Sequence, residues 1–145
     1  MPTPVRRAWS NRNWEGYQDL ARKQTELGVE ALDLNIDGTQ TLPVKRAEML
    51  ELLPEIVPAI QEVTSSPICF DNPFVEFHKV ALKHYDREKG GPPIMNSVAA
   101  SRDGLDEFVE LVAEYDMRVI VMASERFAQY GSAQCLSDRS DPPPA

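Results

Sequence analysis

GGPPIMNSVAAS, residues 90–101, joins a cluster of turn formers to two buriable side chains and then, with no loop between, to Asn96 and Ser97. An apolar strand that stops on a carboxamide needs a reason, and there are two. Asn and Ser turn the chain and cap the helices that follow them. Strand ends that carry polar groups to one common rim are also how an α/β protein assembles a binding site.

Three further stretches share the plan. ALDLN (31–35), PICFDN (67–72) and RVIVMAS (118–124) are short apolar runs that end in polar residues. The terminal residues Asn35, Asp71, Asn96 and Ser124 stand 25 to 36 positions apart, the length of a βα unit. Helix-period segments fill the intervals. The first runs from about Trp14 to Leu27, with Trp14, Tyr17, Leu20, Ala21, Gln24 and Leu27 near one stripe and Gly28 just past its end. The second, TLPVKRAEMLELLPEIVPAIQEV (41–63), has Thr41 near its cap and Pro43 at its first turn. Pro54 and Pro58 interrupt it; an interior proline costs about 3 kcal/mol, so the expectation is two short helices or one kinked one. The third opens at Pro73, carries Phe74, Phe77, Ala81 and Tyr85, and ends at REKGG. The fourth is capped by Ser101 and turns Leu105, Phe108, Val109, Val112 and Tyr115 to the core.

This alternation predicts an α/β fold of parallel βα repeats, four units forming half of an eight-stranded barrel or a small open sheet. In either case the carboxyl ends of the strands lie on one rim, where Asn35, Asp71, Asn96 and Ser124 meet. A carboxylate with two carboxamides suits a ligand rich in hydrogen-bonding edges. On periodicity alone, caps and turns explain the same residues equally well.

Composition narrows the functional classes. A chain of 145 residues is ordinarily one domain, and 42% hydrophobic with 26% charged residues is globular. A net charge of -8, from 23 carboxylates and no basic stripe, argues against nucleic-acid binding. No signal-peptide core or membrane-length apolar run is present, so a soluble cytoplasmic protein without a membrane partner is expected. Cys69 and Cys135 stand far apart in unlike contexts, which indicates neither a zinc knuckle nor a disulfide, and Cys69 reads as a buried thiol. His78 and His84, six apart on one helix, do not share a face, and no metal site is expected. KGG (89–91) is a turn rather than a phosphate loop. After Phe127, GSAQCLSDRSDPPPA has neither periodicity nor apolar mass. The expected division is an N-terminal extension (1–13), the βα domain (14–127) and a disordered Pro-rich tail (128–145).

GVEALDLNIDG, PICFDNPFVEFHKVALKH and PPIMNSVAAS with FVELVAEYDMRVIVMASE resemble successive strands of the pterin-binding methyltransferases. These are the methyltetrahydrofolate:corrinoid protein methyltransferases and the folate domain of cobalamin-dependent methionine synthase, with dihydropteroate synthase more distant. The pieces that carry the resemblance are Asp33-Leu34-Asn35, Cys69-Phe70-Asp71 and Met95-Asn96-Ser97, over about residues 15–125. It implies a partial (β/α)8 barrel in which Asp71 and Asn96 contact the pterin ring and Asn35 shapes the site. Asp37 and Asp33 are implied more weakly, as a turn residue and as a strand residue with a structural role.

The implied reaction is transfer of a methyl group from 5-methyltetrahydrofolate, or a similar methylated pterin, to the cobalt of a corrinoid, a cobalamin carried by a partner protein. Asp71 is the candidate catalytic residue, through ring orientation and a proton-bearing water network. The family's full barrel has eight strands; this sequence has about four and lacks the first strand's Gly-Glu-Arg-type segment and the later pterin-binding residues. The expectation is therefore a truncated or split chain with a homo-oligomer or a complementing half-barrel as its partner. The alternative is a catalytically inactive half-barrel serving as a pterin-binding remnant or interaction subunit.

Overall fold

The computed structural model describes residues 12–39, 42–99, 102, 104–122, 125–127 and 133–135. Helix α1 spans Glu15–Glu26, and Gly28 follows its end at φ 81°, a left-handed conformation that costs glycine little. Strand β1 (Leu32–Leu34) leads through the short antiparallel pair β2 (Gly38–Thr39) and β3 (Leu42–Pro43) into helix α2 (Arg46–Val63). Strand β4 (Ile68–Asp71) is followed by α3 (Val75–Lys83) and the one-turn α4 (Arg87–Gly90). Strand β5 (Ile94–Ala99), helix α5 (Leu105–Glu114) and strand β6 (Arg118–Met122) complete the repeats. Beyond them, β7 (Glu125–Phe127) pairs antiparallel with β8 (Ala133–Cys135), the latter within the segment expected to be a structureless tail.

The sheet order is β1-β4-β5-β6, every pair parallel. Neighbours in the sheet are therefore successive βα units, so the chain advances in one direction, as a barrel wall does. The architecture is α/β with four parallel strands alternating with helices, a partial (β/α)8 barrel.

Strand alternation decides what faces where. Leu32, Leu34, Ile68, Phe70 and Met95 point to the helices and are buried with Leu53, Ile56, Val57, Ile60, Phe77, Ala81, Leu82, Phe108 and Leu111. The other parity gives two rows across the opposite face. Asp33, Cys69, Ile94 and Arg118 stand side by side, and one step nearer the rim stand Asp71, Asn96 and Ile120. Between Asn96 and Val98 the register against β6 shifts, and the Asn96–Ser97 peptide is cis. Such a shift bends a strand where its end must be re-aimed.

The helices differ from the sequence reading in three places. Helix α2 is a single helix through Pro54 and Pro58, not two short ones. The prolines stand four apart, so they share a side, half-buried at Pro54 and exposed at Pro58, where water can serve the carbonyls they leave unpaired. Its core stripe of Met49, Leu52, Leu53, Ile56, Val57 and Ile60 stays intact, and that burial outweighs the two lost bonds. The same helix is capped by Lys45, with Pro43 in β3, and Thr41 lies outside the described residues. Helix α5 follows Gly104, at φ 72°, while Ser101 lies outside the described residues. Among the described residues no helix is long and apolar enough to cross a membrane.

Candidate functional site

At the end of β1 the backbone leaves the sheet and Asn35 folds back across it. Its Nδ2 donates to Asp71 Oδ2 at 3.0 Å, and its Oδ1 accepts from the Asp37 amide at 3.0 Å. One carboxamide thus ties the rim of β4 to the loop after β1, the Asn pattern of hydrogen-bonding the backbone two residues on. Asp71, the last residue of β4, is paired in register with Asn96 on β5. Adjacent strands lie about 4.8 Å apart, so the two side chains stand shoulder to shoulder. Asn96 Nδ2 approaches Asp33 Oδ1 at 3.4 Å from the row below.

These bonds fix which atoms remain for a ligand. Asn96 uses one of its two amide N–H groups on Asp33, and Asp71 uses one oxygen on Asn35. Among the described residues the second oxygen of Asp71 and the Asn96 Oδ1 have no hydrogen-bond partner. The rim therefore presents two neighbouring acceptors beside one remaining Asn96 N–H, a set that a flat heterocycle with neighbouring N–H donors can meet.

The floor is acidic and its thiol is inert. Cys69 lies beside Asp33 in the lower row. Loss of water, the hydrogen bond to Asp33, and the charges of Asp33 and then Asp71 push the thiol up to about 12. It remains protonated at neutral pH, as expected of a buried thiol rather than a nucleophile. Asp37 is held above the usual carboxylate range, first by desolvation and then by the nearby Asp71 charge, against the lowering hydrogen bonds from Asn72 and Asn35.

Asn72 is the residue the sequence reading passed over. It is 1% exposed, and every polar atom it carries is engaged. Its Nδ2 donates to Asp37 Oδ1 at 2.6 Å, its Oδ1 accepts from the Phe74 amide at 3.0 Å, its own amide donates to the Asn96 carbonyl at 3.2 Å, and its carbonyl meets His78 Nε2 at 2.9 Å. The local cue was present: Asn before Pro is a turn-initiating pair, and its side chain closes that turn.

His78 is fully buried, edge-on to Phe77 and Phe108 at 5.7 Å from each ring. Burial lowers its pKa, aided by Arg102 and opposed by the Asn72 carbonyl and by Asp71. A carbonyl partner fixes the neutral tautomer with the proton on Nε2. His78 and His84 take no part in a metal cluster, and the described residues hold no group of three His, Cys, Asp or Glu that would bind an ion.

Of the residues singled out in the sequence, Asn35, Asp71 and Asn96 meet at the rim, with Asp37 and Asp33 bonded to the same cluster. Ser124 lies outside the described residues. The groove of about 640 Å³ between α1 and α2, lined by Arg12, Trp14, Gln18, Glu55 and Glu62, shares no residue with this cluster. Parallel βα units, with the carboxylate that ends β4 paired in register to a carboxamide within β5, agree with the family model described as "Pterin binding enzyme". That model matches residues 5–139, and the chain belongs to this family of pterin-binding enzymes.

Proposed function

We propose that the rim of β1, β4 and β5 binds the aminopyrimidinone edge of a methylated pterin, 5-methyltetrahydrofolate or a close analogue, and that the chain serves methyl transfer to the corrinoid of a partner protein. The observation that carries the reading is the pairing of Asp71 with Asn96, whose acceptors have no partner among the described residues. A pterin offers its 2-amino group and adjacent ring N–H as neighbouring donors on one flat edge, the complement of that pair. Leaving one buried partner unpaired costs about 1–3 kcal/mol, so the pair discriminates against heterocycles that lack either donor. Asn35 holds the Asp71 carboxylate at the angle this edge requires.

The corrinoid supplies a cobalt(I) nucleophile that takes the methyl group as the C–N5 bond breaks. N5 keeps the bonding electron pair and takes up a proton. The role of this chain is to hold the ring so that N5 faces the acceptor, since orientation alone contributes a large share of the barrier reduction. Asp71 orients the ring and organises the water that delivers the proton, because an amine leaves poorly unless it is protonated as it departs.

The test is a methyl-transfer assay with 5-methyltetrahydrofolate and a cobalt(I) corrinoid protein. Turnover that falls at least tenfold in Asp71→Asn, with the unfolding midpoint preserved, is expected. Pterin binding without turnover would leave the pterin site standing and remove the transferase, favouring a binding subunit.

A further inference from the structure

Asn72 and His78 lie beneath the rim rather than on it, and neither faces a ligand. We infer that Asn72, braced from below by His78, is the positioning residue that brings Asp37 to the rim beside Asp71, making Asp37 a second carboxylate of the ligand site. The inference rests on the pterin reading for its ligand and on the geometry for its residues.

Asp37 sits in the loop between β1 and β2, where its carbonyl accepts from the Val44 amide at 3.2 Å while its side chain belongs to neither strand pairing. Two side chains hold it. Asn35 grips its backbone amide and Asn72 grips its carboxylate, the latter at 2.6 Å. Asn72 is itself immobile, because the Phe74 amide, the Asn96 carbonyl and His78 take its remaining polar groups. A buried carboxamide with all its bonds made has one orientation, since any flip leaves a polar atom unpaired.

The brace under it is specific in the same way. The proton of neutral His78 sits on Nε2 and points at the Asn72 carbonyl, the ring packs edge-on against Phe77 and Phe108, and Nδ1 has no partner among the described residues. A second proton would have no acceptor there and would meet the nearby Arg102 charge, whereas Asp71 opposes that penalty. The clamp therefore works with His78 neutral. Asp37 faces Asn35 from its own loop, and Asp71 and Asn72 from the end of β4.

The double cycle that tests this uses the full chain with Asn72→Ala, Asp37→Asn and both together, titrated calorimetrically with 5-methyltetrahydrofolate. If Asn72 acts through Asp37, Asn72→Ala weakens binding about tenfold alone and less than about twofold in the Asp37→Asn background. Equal losses in both backgrounds would overturn the inference.

A carboxyl-carbon NMR titration of Asp37 reads the clamp without any pterin, so failure of the clamp and failure of the pterin reading are distinguishable. The Asp37 midpoint should rise in Asn72→Ala, which loses the bond that stabilises the ionised form; an unmoved midpoint contradicts the inference. Should Asn72→Ala not fold, the unaltered chain gives the answer. Its Asn72 side-chain amide must shift with Asp37 ionisation, and an amide flat across that range contradicts the clamp. His78→Gln, which keeps a donor near the Nε2 position, should retain pterin affinity within about threefold, whereas His78→Leu should lose about tenfold. Equal affinities for the two would remove His78 from the device.

Discussion

At the scale of single residues, the site was partly legible and the reason is chemical. Asn35, Asp71 and Asn96 announce themselves because a polar residue ending an apolar run has few explanations. Asn72 and His78 do not, since Asn-Pro reads as a turn and a helical His as a surface group until the fold buries both. His78 carries a prediction. Its folded pKa lies below the ordinary 6.5, so the unfolded chain binds its proton first on acidification. The stability it confers is present above 6.5 and is lost as pH falls from there through the lowered folded value. Urea unfolding of the wild type should show this decline, and His78→Gln, which cannot titrate, should flatten it. A wild-type profile level below pH 6.5, or an identical slope in the variant, would contradict the burial of a neutral imidazole.

At the scale of elements, the four parallel strands overlap their apolar runs, though β5 continues past Asn96 to Ala99, while the ends and interruptions of helices were not legible. Local rules priced Pro54 and Pro58 correctly as breakers, but the sequence does not reveal that both fall on the outer side of α2 while seven residues stay buried on the inner one. Pro58→Ala restores one backbone bond on the exposed side and should raise stability by about 1–2 kcal/mol, the helix-propensity gain less the freedom returned to the unfolded chain. A fall in melting temperature would mean that the proline sets a bend on which the packing depends.

Gln61, 3% exposed, is a second hidden device. It exchanges two bonds with the Asp86 backbone, at 2.8 and 2.7 Å, and fastens α2 to the start of α4. A glutamine in an amphipathic helix gives no hint of this. Gln61→Leu leaves the Asp86 amide unpaired and its carbonyl with the Gly90 amide alone, and should cost about 1–3 kcal/mol in urea unfolding. A loss under about 0.5 kcal/mol would show that water replaces the clip.

For the whole molecule, the βα alternation fixed the class of fold because crossover handedness leaves few arrangements. What periodicity cannot supply is which surface stays open. Strand β6 lies at an edge of the sheet and exposes Ile120, Val121 and Met122, with Val121 71% exposed. Exposed apolar edges recruit partners, so sedimentation should show concentration-dependent association that weakens in Val121→Lys. A monomer at every concentration, with no difference between the two proteins, would contradict this. The same alternation brings Asp71 and Asn96 side by side on successive strands, and the proposed pterin contact depends on that pairing. Its most direct test is calorimetric titration of 5-methyltetrahydrofolate into the wild type, Asp71→Asn and Asn96→Ala, each first shown to be folded. Saturable binding that weakens about tenfold or more in both variants is the predicted result; identical heats in all three proteins, or none in the wild type, would contradict it.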